Sequence, residues 1–280
     1  MMAERNRDEP VVLTIAGFDP SGGAGTIADI RTFLHFRCLP TAAITSLTFQ
    51  NSQGVFGAIH ESAGSVRAQI LPIIEEHKIA AIKIGMLATA ELISEVAALI
   101  DEKDLPAPVV DPVMQSSSGH RLIEAGAMET FVRELMPLAR LITPNIPEAE
   151  SLTGLRIEDE QTMHEAAQKL HEMGANAVLI KGGHLREQRS EVRDQESERG
   201  SSPTVREGGD QAVDILDDDG QVTVFRGEWI DAPPVRGTGC MLSSAIAACL
   251  AQGMQLQDAI AAAKQFVAAQ IQNSKLKTQN

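Results

Sequence analysis

Short apolar runs alternate with amphipathic stretches along most of the chain. VVLTIAG (11–17) predicts a buried strand, followed by SGGAG and an amphipathic stretch to about Cys38. TAAITSLTF (41–49) predicts a second strand. SVRAQILPIIEEH, AAIKIG, TAELISEVAALIDEK, APVVD and GAMETFVRELMPLA continue the alternation, and LARLIT, EAESLTG, QTMHEAAQKLHEMG and ANAVLIKGG extend it. Short strands separated by helices of about ten or more residues require crossover connections, which give a largely parallel sheet covered on both faces. The expectation is one α/β domain over residues 1–280, with its core from about 11 to 271 and no internal repeat.

One segment breaks the pattern. Residues 186–211 are polar and charged with almost no apolar positions, and they lie between the strand ending at Lys181 and the hairpin-like AVDILDDDGQVTVFRGE, whose DDDG supplies turn chemistry. Too few residues follow to build a second domain, so the segment reads as a mobile insertion, either a surface loop or a functional lid.

Composition narrows the function. Aromatic residues make up 3% of the chain and Tyr is absent, so Ala, Leu, Ile and Val must fill the core. A formal charge of −14 opposes nucleic-acid binding, which needs clustered Lys and Arg. It also means that a polyanionic ligand must be held by local positive potential. Cys38, Cys240 and Cys249 form an odd set without CxxC spacing, which suits reduced thiols in a cytoplasm. MMAERNRDEP has no apolar signal-peptide core, and no apolar run reaches bilayer-spanning length. The expectation is a cytoplasmic protein with no membrane partner.

Five constellations carry chemistry. GFDPSGGAGTIADIRTF (17–33) places glycines between a strand and a helix, where backbone N–H groups can meet a ligand, but it lacks both GxGxxG spacing and a Walker lysine. Asp29 falls in the following helix, facing either the ligand crevice or solvent. PVRGTGCMLSSAIAACLAQG (234–253) is a phosphate-cradling helix start in which the amides of Gly237 to Cys240 converge. Cys240 sits in the first turn, where the helix dipole is expected to lower a thiol pKa. Its alternative is a small packing residue, which is also the reading for Cys249. In TPNIPEAESLTG (143–154), Asn145 and Glu148 are oxygen donors suited to hydrated magnesium, or else an N-cap with its first-turn acid. IKGGH (180–184) offers Lys181 as a point charge. VVDPVM (109–114) ends a buried strand at Asp111, on the carboxyl edge where open α/β folds bind ligands.

In this order AGFDPSGGAG, QNSQG, KIGML, VDPVM, TPNIPEAESLTG, KGGH and GTGC resemble the hydroxymethylpyrimidine and phosphomethylpyrimidine kinases of thiamine biosynthesis, within the ribokinase-like superfamily. The resemblance implies a ribokinase-like central, mostly parallel sheet flanked by helices on both faces. It also implies ATP-dependent phosphorylation of the hydroxymethyl group of 4-amino-5-hydroxymethyl-2-methylpyrimidine and of its monophosphate. By the same resemblance Cys240 is the general base, and Gly237, Thr238 and Gly239 form the anion hole. Asp29 and Gln50 bond the aminopyrimidine, and Gly17, Ala24 and Met86 line its pocket. Glu148 and Asp111 order Mg2+, with Asn145 and Lys181 at the nucleotide; the assembly is a homodimer.

The chain departs from the family pattern at Arg236, where His is common, and at Met241, where Thr is common. Gln115-Ser116-Ser117 follow VDPVM, His120 stands where an acid is usual, and the C-terminal SKLKTQN lacks the family's Gly- and His-containing tail. These differences bear on efficiency and substrate more than on fold. Two other readings stand beside the main one: a pyridoxal or pyridoxine kinase, and a weakly active or inactive relative that binds pyrimidine or nucleotide.

Overall fold

The computed structural model describes residues 9–51, 53–115, 119, 121–183, 211–228, 230 and 235–278. The charged segment 186–211 lies outside the described residues but for its last position, as do Ser116, Ser117 and His120. A nine-stranded sheet runs through the described chain. Its strands are β1 (Val11–Phe18), β2 (Leu39–Gln50), β3 (Val55–His60), β4 (Ile79–Ile84), β5 (Val109–Val110), β6 (Leu141–Ile142), β7 (Ala177–Lys181), β8 (Gln211–Asp218) and β9 (Gln221–Glu228). The spatial order is β3-β2-β1-β4-β5-β6-β7-β8-β9. Every pairing from β2 through β7 is parallel; β3, β8 and β9 add antiparallel edges.

Helices α1 (Gly25–His35), α2 (Ala63–Glu76), α3 (Ala90–Glu102), α4 (Ala127–Thr130), α5 (Ile146–Thr153), α6 (Glu160–Glu172), α7 (Thr238–Ala251) and α8 (Leu256–Thr278) cover it. The expected helix in GAMETFVRELMPLA is broken: α4 widens into a π turn at Phe131–Leu135 and then tightens at Met136–Leu138, where Pro137 lacks an N–H. The expected 212–228 hairpin closes on Asp219 and Gly220, both left-handed (φ 53° and 80°), which is the two-residue turn that matches strand twist.

Strand alternation divides the core in two. Leu13, Ile15, Ile82, Ile84, Val178 and Ile180 pack with Val66 and Ile70 of α2, Leu92 and Val96 of α3 and Leu170 of α6. Val12, Ala81, Ala177 and Leu179 face the opposite way onto Phe33 of α1, Ala245 and Ile246 of α7 and Ile260 of α8. Cys249 is buried in this second layer, as a packing residue should be. Thr14 and Lys83 belong to the same face and are register partners across β1 and β4. That places a lysine in an apolar layer, where it needs a counter-charge.

The strand order also fixes the site. β1 is followed by α1 and pairs with β2 on one side, while β4 lies on its other side; there the winding direction reverses, leaving a crevice at the carboxyl ends.

Candidate active site

A cleft of about 370 Å³ opens at that crevice. Nearly every wall comes from a strand's carboxyl end: Ala16 and Gly17 of β1, Thr48 and Gln50 of β2, Lys83 of β4 with Met86 just beyond, Asp111 after β5 and Lys181 of β7. The start of α7, Gly237 to Cys240, closes the fourth side. Two glycines make the approach possible. Gly25 has φ 57°, and a Cβ there would lie 2.2 Å from the Gly17 carbonyl oxygen. Gly237 has φ 75°, and its Cβ would meet the Gly23 oxygen at 2.1 Å. Only a residue without a side chain lets the starts of α1 and α7 converge on one point.

Asp19 builds the loop between β1 and α1. Its carboxylate accepts the Ser21 N–H and hydroxyl on one oxygen, and the Gly23 and Ala24 N–H groups on the other. Asp19 is a functional residue missed from sequence. The signal was an acid directly before a Pro-Ser-Gly-Gly turn rich in N–H donors.

Behind Gly239 lies a charged trio. Lys181 Nζ donates to Asp111 Oδ1 at 2.8 Å, and a Cβ on Gly239 would sit 3.3 Å from that ammonium. Glu148 is buried and lines the same wall. Burial pushes its carboxyl up to about 7, against Lys181, which lowers it, and with Asp111, which raises it further. Lys181 is held above its ordinary value: burial opposes the ammonium, but Asp111 and then Glu148 outweigh it. Of the two readings of the Asn145/Glu148 pair, the structure shows the cap. They form a reciprocal capping box for α5, Asn145 Oδ1 accepting the Glu148 N–H at 2.9 Å and Glu148 Oε2 accepting the Asn145 N–H at 2.8 Å. Glu148 reaches the cleft, whereas Asn145 is not among its walls.

Two expectations are corrected. Asp29 does not face the cleft; it is fully buried beneath the floor. Its oxygens accept from Thr14 Oγ1 (2.6 Å), Ser244 Oγ (2.7 Å) and Lys83 Nζ (2.9 and 3.0 Å). Lys83, which lines the cleft, is the counter-charge that turned Asp29 inward. The signal was legible: a lysine inside AAIKIG is too costly to bury alone and must find an acid. The second correction concerns Cys240. Its thiol is pushed up to about 11, because burial outweighs Lys83 and the Gly25 N–H, both of which pull it down; Asp111 and Asp29 push it further up. The helix-dipole argument omitted desolvation, and desolvation wins.

The cleft mouth is spanned by Arg236. Its guanidinium donates to Gln50 Oε1 at 2.7 Å, to Ser21 Oγ at 3.3 Å and to the Asn51 carbonyl. Gln53, Gly54 and Val55, in the turn to β3, form the outer rim. β3 itself was not expected from sequence, and no aromatic side chain is among the cleft's walls that the described residues form.

Fold and site together define a small-molecule kinase of the ribokinase-like type, with a glycine-rich helix start facing a strand edge that bears lysines and carboxylates. The comparisons make the assignment particular. The family model described as phosphomethylpyrimidine kinase matches residues 19–280, and the chain belongs to that family. A hydroxymethylpyrimidine/phosphomethylpyrimidine kinase of Aquifex aeolicus is 39% identical over 265 residues, covering 95% of each chain. A crystal structure of a phosphomethylpyrimidine kinase from Clostridium difficile superposes with TM-score 0.76 at 35% identity, over 94% of this chain and all of that one. An ADP complex of Bacillus subtilis pyridoxal kinase is similar too, with TM-score 0.78 and 34% identity over 94% of this chain and 91% of that one.

Proposed function

We propose that this kinase transfers the γ-phosphoryl group of ATP first to the hydroxymethyl group of 4-amino-5-hydroxymethyl-2-methylpyrimidine and then to the resulting monophosphate, in thiamine biosynthesis. The observation that carries the reading is the convergence of Gly237–Cys240, Lys83, Lys181, Asp111 and Glu148 with Gln50, Gly17 and Met86 on one cleft. The first set suits a transferring phosphoryl group, the second a small planar acceptor. A loose transition state asks the protein mainly to place an oxygen in line and to meet spreading negative charge. The N–H groups of Gly237, Thr238 and Gly239 and the Lys181 ammonium serve that need. Gln50 offers an amide to a ring that presents an exocyclic amino group beside ring nitrogens, and Gly17, Ala24 and Met86 supply the flat wall.

Cys240 is the acceptor's proton partner. With its thiol near 11 the sulfur stays protonated at neutral pH. It must therefore give up its own proton to solvent before it can take one: the thiolate, which Lys83 and the Gly25 N–H stabilise, then accepts the alcohol proton as transfer develops. Lys181 is set against the nucleotide phosphates. Asn145 acts there through Glu148, which it fixes by the capping box.

Asp111 and Glu148 fit Mg2+. Buried Glu148 lacks enough positive charge to hold its own, and two carboxylates suit an ion that keeps waters and takes phosphate oxygens. No group of three or more His, Cys, Asp or Glu suited to a metal occurs among the described residues. Bound there, the ion would neutralise phosphate charge.

The homodimer has a surface to match. On the outer face of the β2–β3 ribbon Leu47, Phe49 and Ile59 are 40%, 50% and 57% exposed. Register pairs Leu47 with Ile59 and Phe49 with Gly57, over which the Phe49 ring lies. An apolar face of this kind on an edge ribbon suits a second copy. The free thiols of Cys38, Cys240 and Cys249 agree with a cytoplasmic enzyme, and no described helix is long and apolar enough to cross a membrane.

Pyridoxal is the competing acceptor, favoured by the likeness to the B. subtilis pyridoxal kinase and by its own ring-bound hydroxymethyl group. Phosphorus NMR of a reaction with Mg·ATP and the hydroxymethylpyrimidine tests the proposal. A monoester resonance should rise and then give way to a diphosphate pair; ATP consumed without either resonance would refute it.

A further inference from the structure

Among the described residues, three cations line the cleft: Lys83, Lys181 and Arg236. Two are committed. Lys83 sits at 2.9 Å from Asp29 and Lys181 at 2.8 Å from Asp111. Arg236 differs. Among the described residues its carboxylate partner is Asp19, in an ion pair at 3.8 Å, beyond hydrogen-bond distance; that carboxylate also accepts four neutral donors of its own loop. The groups that Arg236 does bond, Ser21, Gln50 and the Asn51 carbonyl, are neutral. These contacts use three of its five N–H donors among the described residues. Its charge is thus offset at the mouth only by one carboxylate beyond hydrogen-bond distance among the described residues, in a protein of formal charge −14.

Its place is fixed as well as its charge. Gly237 pins the turn against Gly23, and the Arg236 β-carbon packs 3.6 Å from where a Gly23 side chain would begin. From there the guanidinium reaches Gln50, so a ring read by Gln50 lies beside Arg236. The two proposed acceptors differ at this point. In the first step the attacking atom is an alcohol oxygen of a neutral molecule. In the second it is an oxygen of a phosphomonoester carrying nearly two negative charges. The attacking atom must occupy the same place beside Cys240 in both steps, so the longer monophosphate moves its ring outward and puts its phosphate where the first acceptor carries its ring, on the Gln50 side of Cys240 beside Arg236. Carboxylates Asp111 and Glu148 on the inner wall oppose a second anion there.

We propose that Arg236 is the specificity-determining residue for the anionic acceptor: its loosely paired guanidinium recognises the monophosphate of the second step. This rests on the pyrimidine-kinase reading above. The chemistry is unchanged by it. An acceptor phosphate oxygen attacks the γ-phosphorus of ATP, the bond to the ADP oxygen breaks, and a diphosphate forms.

The test is kcat/KM for the hydroxymethylpyrimidine and for its monophosphate, each with saturating Mg·ATP, in the parent enzyme, R236Q and R236K. With R236Q both values should fall, the monophosphate's at least tenfold further, and R236K should recover a good part of that difference. Raising ionic strength should increase KM for the monophosphate in the parent more than in R236Q, because an exposed-side charge pair is screened. Equal losses with the two acceptors, or R236K no better than R236Q for the monophosphate, would overturn the assignment and leave Arg236 as a tie across the mouth. Parent turnover of the first acceptor tests the underlying reading by itself: without it that reading falls, whereas with it only the role of Arg236 is in question.

Discussion

Cys240 and Glu148 are both shifted upward by burial, yet the consequences differ. For Cys240 the expected outcome of C240A is a fall in kcat of about 10²–10⁴ with little change in the KM for ATP, the loss typical of a positioned proton acceptor. Steady-state kinetics with ATP varied checks this, and an unchanged kcat would remove the sulfur from the proton path. For Glu148 the shift is a statement about stability. Its folded value near 7 lies above the ordinary 4.5, so the folded protein holds this proton more tightly than the unfolded chain. The carboxylate therefore costs nothing below about pH 4.5, costs progressively more as pH rises to 7, and reaches its full penalty above that. E148Q should be inactive but more stable than the parent at pH 8, by about 1–3 kcal/mol relative to their difference at pH 4.5. Urea unfolding in the presence of a chelator measures it. A difference that does not change with pH would mean that Glu148 is charged without penalty.

At the scale of elements, the site is a set of strand ends and two helix starts held at close range. G25A should destabilise by about 2 kcal/mol or more, since φ 57° strains an L residue and its Cβ would meet the Gly17 oxygen. G64A, in the first turn of α2 with nothing within 4 Å, should be neutral or mildly stabilising; paired melting curves separate the two. D29N leaves Lys83 with a neutral partner in the apolar layer, at a cost of about 3–5 kcal/mol. The strands β1, β2, β4 and β7 were legible in sequence because their apolar runs are long enough to carry a pattern. β5 and β6 are reduced to two residues each, and β3, with VFGAIH half-exposed, has no clean alternation. The glycine turns, Cys240, Lys181, Asp111 and Glu148 announced themselves by local chemistry. Asp29 was misplaced because its direction depends on Lys83, 54 residues away. The thiol of Cys240 was given the wrong sign because burial is a property of the packed cleft rather than of the GTGC turn.

For the whole molecule, the acidic surface and the cationic cleft belong to one design: a polyanionic co-substrate is admitted only where local charge and helix N–H groups receive it. The β2–β3 ribbon would join this site to the proposed dimer, because Gln50 and Val55 line the cleft while Phe49 and Ile59 are exposed. Phe49→Asp together with Ile59→Lys should convert a dimer into a monomer in sedimentation measurements, and a parent that is monomeric at micromolar concentration would refute the surface. The central claim is the acceptor itself. A coupled ADP-release assay with Mg·ATP, comparing the hydroxymethylpyrimidine, its monophosphate and pyridoxal, tests it most directly. The account predicts a preference for the pyrimidines of tenfold or more in kcat/KM, about 1.4 kcal/mol of transition-state discrimination; a preference for pyridoxal, or no turnover with any of the three, would contradict it.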